Sequence, residues 1–162
     1  MKAYTKALFT FRKTSSRFSA GDLEEFFNTA AGGSNLALST LVEKHGPELL
    51  RACDDRGATA LICATERGHS GAIHILIKRG ADINATDDGG NTALMTAALK
   101  GYRSVAQALL DRGAALELVN GRGQTALMLA ATHRDNNDRM HQMSQKKKET
   151  VKMLLDRGLR NY

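Results

Sequence analysis

The sequence predicts an all-α fold, a solenoid of stacked helix-turn-helix units joined by short hairpin loops. A threonine-centred phrase occurs three times with a period of 33 residues: GATALI at 57–62, GNTALM at 90–95 and GQTALM at 123–128. A second phrase, about twenty residues later, keeps the same period: IKRGADI at 77–83 and LDRGAAL at 110–116. A fixed period of this length is typical of repeat proteins, whose units bury their apolar faces on one another.

The N-terminal part of the chain divides into an arm and a degenerate repeat. Residues 1–20 contain five Lys or Arg and no acid, and they are predicted to form a basic arm. Residues 21–53 fit a weaker copy of the unit, with a first helix at 21–31 that Asp22 caps. Apolar residues at helical spacing define the inward faces of its two helices: Leu23, Phe26, Phe27 and Ala30, then Leu36, Leu38, Leu41 and Val42.

The two central units, residues 54–86 and 87–119, carry the clearest helix signals. In the second of them, Thr92 is placed to cap a short helix that ends at Gly101. The next helix has an apolar face and stops at Gly113, which we expect in a left-handed conformation. The apolar residues of the two helices are Ala93, Leu94, Ala97 and Ala98, then Val105, Ala106, Leu109 and Leu110.

The last unit, residues 120–162, contains an insertion at about 134–148. Arg157 follows Arg112 by 45 residues instead of 33, so about twelve residues are added between the first and second helices. We expect the second helix to begin early, near Ser144. One hypothesis is that the insertion extends a binding face, with Lys146, Lys147 and Lys148 offering positive charge; the alternative is a tolerated surface loop.

These phrases and their spacing closely resemble the ankyrin repeat family. The resemblance is clearest over residues 54–162 and looser over the preceding unit. The family's histidine is replaced by Ile62, Met95 and Met128, which predicts apolar contacts between neighbouring corners. The resemblance implies a non-catalytic module that binds partner proteins through the hairpin tips and the exposed positions of the first helices.

Carried onto this sequence, the resemblance places partner-contacting residues in two groups. The hairpin-tip positions are Asp55, Arg56, Ala58, Asp88, Gly89, Asn91, Gly121, Arg122 and Gln124. The first-helix positions are Glu66, Arg67, Leu99, Lys100, Thr132 and His133. Leu99 is expected to be exposed, and an exposed leucine between Ala98 and Lys100 is the strongest single indication of a binding surface.

No catalytic or cofactor site is predicted from the sequence. The HRD triplet at 133–135 lacks the other kinase motifs, and the acidic stretch at 82–91 lacks the glycine and glutamate of a calcium loop. The histidines and methionines of the insertion are interpreted as incidental rather than as copper ligands. Cys63 is interpreted as a small apolar core residue. We therefore expect no enzyme activity, no cofactor and no metal.

Composition and charge limit the partners and the compartment. The net charge is +6, of which the N-terminal arm supplies +5. Three roles remain open for the arm: a solvated extension, a targeting segment that makes the protein a mitochondrial or host-directed regulator, or a contact to nucleic acid or anionic lipid. We expect a monomer that binds proteins rather than nucleic acid, without a membrane span. The two unpaired-looking cysteines favour a cytoplasmic location.

Overall fold

A computed structural model of the protein describes residues 18–132 and 145–158, and over these residues the fold is all-α, as predicted. The helices are α1 (Ala20–Gly32), α2 (Asn35–His45), α3 (Ala60–Glu66), α4 (Ser70–Lys78), α5 (Ala93–Lys100), α6 (Arg103–Leu110), α7 (Ala126–Ala131) and α8 (Gln145–Gly158), with a 3₁₀ helix at Pro47–Arg51. Isolated β-bridges join Cys53 to Thr59 and Thr86 to Thr92 at the bases of two hairpins.

The helices stack in two rows. The first helices of the units form one row, in which α1 packs on α3, α3 on α5 and α5 on α7. Each first helix also packs on the second helix of its own unit, and the buried leucines, alanines and methionines of both rows form one continuous core. Stacking buries apolar surface that a single helix pair would leave in water, which explains why the unit is repeated.

The repeated threonines cap the first helices. The hydroxyl oxygens of Thr59, Thr92 and Thr125 accept hydrogen bonds from the backbone N–H three residues further on, at 3.2–3.5 Å. This confirms the cap predicted at Thr92. Gly113 has a φ of 90° and so adopts the predicted left-handed conformation, and Gly101, which was predicted to end its helix, has a φ of 69°. The helix α6 itself ends three residues before Gly113, at Leu110.

The N-terminal unit differs from its prediction at two residues. Ser19, not Asp22, is the N-cap of α1: its hydroxyl accepts from the Asp22 N–H at 3.1 Å, and the Asp22 carboxylate accepts from the Ser19 N–H at 3.2 Å. This pair is a capping box, and its hydrogen bonds lower the pKa of Asp22 below its ordinary value. Leu36 is 81% exposed. Two residues along a helix turn by about 200°, so Leu36 faces away from Leu38.

The C-terminal unit contains two more corrections. Lys147 is only 5% exposed, and its ammonium donates to the Thr132 carbonyl at 3.3 Å, so it does not offer its charge to a partner as predicted. Met128 is 54% exposed, whereas Ile62 and Met95 at the same repeat position are buried. The predicted apolar contact is absent at Met128 because no further repeat within the described residues covers it. The helix α8 is described from Gln145 onwards, and residue 144, near which its start was predicted, lies outside the described residues.

Several predictions concern residues outside the described ranges. These are the N-terminal arm up to residue 17, the HRD triplet, and the histidines and methionines of the insertion. Within the described ranges, no three His, Cys, Asp or Glu side chains come together as possible metal ligands. In the same part of the chain, the helices are all too short or too polar to span a membrane.

A candidate binding groove between the hairpin tips and the first helices

Equivalent residues of the three repeats stabilise the three hairpins. They are Asp54, Asp87 and Asn120, which are spaced by 33 residues. In each hairpin the Oδ1 atom of this residue accepts the backbone N–H groups two and four residues further on, at 2.8–3.0 Å. These bonds hold the tip in a tight turn. The acidic stretch at 82–91 is therefore a polar corner of the repeat.

The three tips are also bonded to one another. The Asp88 N–H donates to the Arg56 carbonyl at 2.9 Å, and the Gly121 N–H donates to the Gly89 carbonyl at 2.8 Å. The tips consequently form one row that lies beside the row of first helices. The space between the two rows is a groove, and its lining changes from one unit to the next.

In the unit at residues 54–86 the side chain of Arg56 spans the groove. Its guanidinium donates to both carboxylate oxygens of Glu66, at 3.0 and 3.2 Å, and also to Oδ2 of Asp54 at 2.9 and 3.1 Å. Asp54 is fully buried. The hydrogen bonds with Glu66, followed by those with Asp54, raise the pKa of Arg56 above its ordinary value. Both predicted contact residues, Arg56 and Glu66, are thus already engaged with each other.

Between the second and third hairpins the groove is open and forms a pocket of about 350 Å³. Its lining includes five predicted contact residues from the tips and first helices: Asn91, Leu99, Arg122, Gln124 and Thr132. Gly89, a predicted tip position, also lines it, together with Asn120 and Leu129. The structure therefore brings part of the predicted set together in one concavity.

Asn120 and Leu129 are pocket residues that the sequence analysis did not select. A signal existed for Asn120, because it keeps the 33-residue register of Asp54 and Asp87. Leu129 gave no such signal, since its sequence position is that of an ordinary core residue in α7. Its side chain is 7% exposed, so it belongs to the core and to the pocket floor at once.

The other predicted residues lie outside this pocket. Asp55 and Asp88 are exposed at the tips, and Arg67 and Lys100 are exposed at the ends of α3 and α5. Ala58 was wrongly predicted to contact a partner: it is 1% exposed, and its N–H donates to Asp54 inside the hairpin. Leu99 is half-buried against the core rather than exposed. His133 lies outside the described residues.

Cys63 lies behind the first hairpin, on α3. It is buried, with its sulfur 3.9 Å from the Asp54 carboxylate. Burial, then the nearby negative charge of Asp54, raises the pKa of the Cys63 thiol to about 12. A thiol with this pKa is protonated at neutral pH, which fits the predicted role of a small apolar core residue.

Comparison with known families agrees with this architecture. A family model described as ankyrin repeats in many copies matches residues 76–130, and a second, described as the ankyrin repeat, matches residues 56–88 and 122–161. Together the matches run without a gap from residue 56 to residue 161. A search of curated proteins finds no match to this chain. The repeat period, the stacked helix pairs and these matches show that the chain belongs to the ankyrin repeat family.

Proposed function

We propose that this protein is a non-catalytic module that binds a partner protein in the groove between the hairpin tips and the first helices. Ankyrin repeats are generally protein–protein interaction modules. The observation that supports this groove as the binding surface is the pocket between the second and third hairpins. It is the place where predicted contact residues from tips and helices face a common space.

The lining of the pocket has the composition of a small recognition site. Leu99 and Leu129 supply an apolar floor, while Asn91 and Gln124 supply polar groups at the rim. Recognition sites in proteins commonly combine an apolar centre with a few oriented polar groups, because burial supplies affinity and hydrogen bonds supply specificity. A single side chain of a partner, inserted between the tips, would bury this floor.

The proposal is tested by selecting binders from a display library of random linear peptides on the full chain. The selected peptides are labelled, and their affinity is measured by fluorescence anisotropy for three proteins. These are the unaltered chain, a groove variant with Lys100→Glu and Arg122→Glu, and a control variant with Lys44→Glu and Lys78→Glu. The control makes the same change of charge at exposed positions of the second helices α2 and α4.

The groove variant is expected to lose the selected peptides, while the control variant keeps them. Both variants should retain the helical circular-dichroism signal, since all four altered side chains are exposed. Peptides that bind all three proteins with equal affinity would show that this groove is not the binding surface. The monomeric state and the cytoplasmic location stay predictions from the sequence, as does the role of the basic arm.

A further inference from the structure

Arg122 occupies the same repeat position as Arg56, two periods earlier. The residues that surround Arg56 therefore have counterparts around Arg122: Asp54 corresponds to Asn120, and Glu66 corresponds to Thr132. Asn120, Arg122 and Thr132 all line the open pocket. The two hairpins therefore place arginines at the same repeat position beside two different sets of charges, although Glu66 ends helix α3 whereas Thr132 follows α7 in an extended conformation.

The two carboxylates that hold Arg56 are both replaced at Arg122. Arg56 with Asp54 and Glu66 combines one positive and two negative charges, whereas Arg122 has a neutral amide and a neutral hydroxyl in their places. The guanidinium of Arg122 makes no hydrogen bond or ion pair with any other side chain in the described part of the chain. Its backbone N–H is bound by Asn120, which fixes the root of the side chain at the pocket rim.

Resting on the function proposed above, we propose that the groove recognises an acidic–apolar segment of its partner. A carboxylate of a partner Asp or Glu would bind Arg122 as Glu66 binds Arg56. An apolar side chain next to that carboxylate would cover Leu99 and Leu129. In the unit at residues 54–86 the carboxylate that binds the arginine comes from Glu66 of the chain itself. In the unit at residues 120–162 the partner would supply it.

The geometry at Arg56 shows what such a contact looks like. Two N–H···O bonds, of 3.0 and 3.2 Å, join Arg56 to the two oxygens of Glu66. Paired bonds of this kind are directional, and they select carboxylates over neutral amides because the charge strengthens both bonds. The apolar floor beside the site excludes water on one side, which reduces the screening of the ion pair.

Asp87 and Lys147, two charged residues near the third hairpin, are bound within the chain. The Asp87 carboxylate binds within its own hairpin, where both oxygens accept from the Asn91 amide. The buried ammonium of Lys147 lies behind Thr132 and binds the Thr132 carbonyl.

A double-mutant cycle tests the contact. We choose a peptide that binds the unaltered chain and not the groove variant. It is synthesised in two forms, with Glu or with Gln at its acidic position. Both forms are titrated against the unaltered chain, Arg122→Gln and the control Lys78→Glu. Replacing Glu by Gln should weaken binding at least about tenfold on the unaltered chain and on the control, but only slightly on Arg122→Gln. Arg122→Glu should in turn prefer the peptide with Lys at this position.

The outcomes separate this inference from the proposed function. Groove-dependent peptides that carry no acidic residue, or an equal effect of Glu→Gln on the unaltered chain and on Arg122→Gln, would overturn the inference and leave the groove as the binding surface. Peptides that bind the groove variant and the unaltered chain with equal affinity would overturn both the inference and the proposed function. The double-mutant cycle is repeated at low and at high salt. A coupling free energy between Arg122 and the peptide carboxylate that is present at low salt and lost at high salt would support the ion pair.

Discussion

The side-chain amide of Asn120 donates to Oδ1 of Asn91 at 2.9 Å, and this bond joins the third hairpin to the second. In the two preceding hairpins the corresponding residue is an aspartate, which cannot donate. Asn91 is held in its orientation because its own amide nitrogen donates to both carboxylate oxygens of Asp87, each at 3.1 Å. Its oxygen is therefore fixed as an acceptor that requires a donor from residue 120.

Asn120→Asp should destabilise the third hairpin by about 1–2 kcal/mol, because a carboxylate would then face the Asn91 oxygen without a hydrogen between them. Denaturant unfolding followed by circular dichroism measures the loss. Asn84→Asp is the matched control: the Asn84 oxygen accepts from the Ala115 N–H at 2.9 Å, and an aspartate can accept equally well. Equal stability of the two variants would contradict the assigned role of the Asn120 amide.

Gly113→Val should destabilise the protein by about 1 kcal/mol or more, since φ of 90° is unfavourable for a β-branched residue. An added Cβ atom would meet no other atom within 4 Å at Gly113, so the cost is conformational and not steric crowding. Gly32, at the end of α1, has the same open space without a positive φ. Gly32→Ala should therefore be neutral or stabilising, and a loss as large as that at Gly113 would refute the conformational explanation.

Cys63 should react with a thiol reagent far more slowly than Cys53. Raising the pKa of the Cys63 thiol to about 12 lowers its thiolate fraction at about pH 8 by roughly a thousandfold compared with an ordinary cysteine. The comparison uses the variants Cys53→Ser and Cys63→Ala, each of which keeps one thiol. Each variant is mixed with an aromatic disulfide reagent, and labelling is followed by the absorbance of the thiolate that the reagent releases. Similar labelling rates in the two folded variants would be inconsistent with a buried, protonated Cys63.

The same shift has a consequence for stability at high pH. The pKa of the thiol is raised in the folded protein, so its contribution to the free energy of unfolding is present below the ordinary pKa of 9.0. It is lost as the pH rises from there towards 12, because only the unfolded chain releases the proton. Cys63→Ala should accordingly show a weaker decline of stability than the unaltered chain over this range.

Thr132→Glu should close the open pocket from within the chain. The new carboxylate would bind Arg122 as Glu66 binds Arg56. It would therefore compete with the carboxylate of a bound peptide. Affinity for groove-dependent acidic peptides should fall about tenfold compared with Thr132→Gln, while stability rises by less than about 1 kcal/mol. Both variants lose the bond from the Thr132 hydroxyl to the Leu129 carbonyl, so their difference reports the charge alone. An unchanged peptide affinity would count against the proposed carboxylate contact.

The sequence by itself determined the repeat, its helices and their ends. Thr92 caps a helix and Gly113 turns left-handed through bonds and torsions within a few residues of each, so local chemistry was sufficient to predict them. The same period identified the tips as a row, because equivalent residues of stacked units must lie side by side. Spacing was not sufficient to predict burial, because Leu36 and Met128, which the same spacing assigned to apolar contacts, are exposed.

Only the tertiary structure decided which of these residues a partner can reach. Leu99 is half-buried because α7 packs beside α5, and Lys147 turns inward to Thr132. Both outcomes depend on contacts between residues far apart in the sequence, which a one-dimensional pattern does not contain. The contrast between Arg56 and Arg122 has the same origin: two identical residues at identical repeat positions differ because Glu66 reaches across the groove and Thr132 is too short to do so.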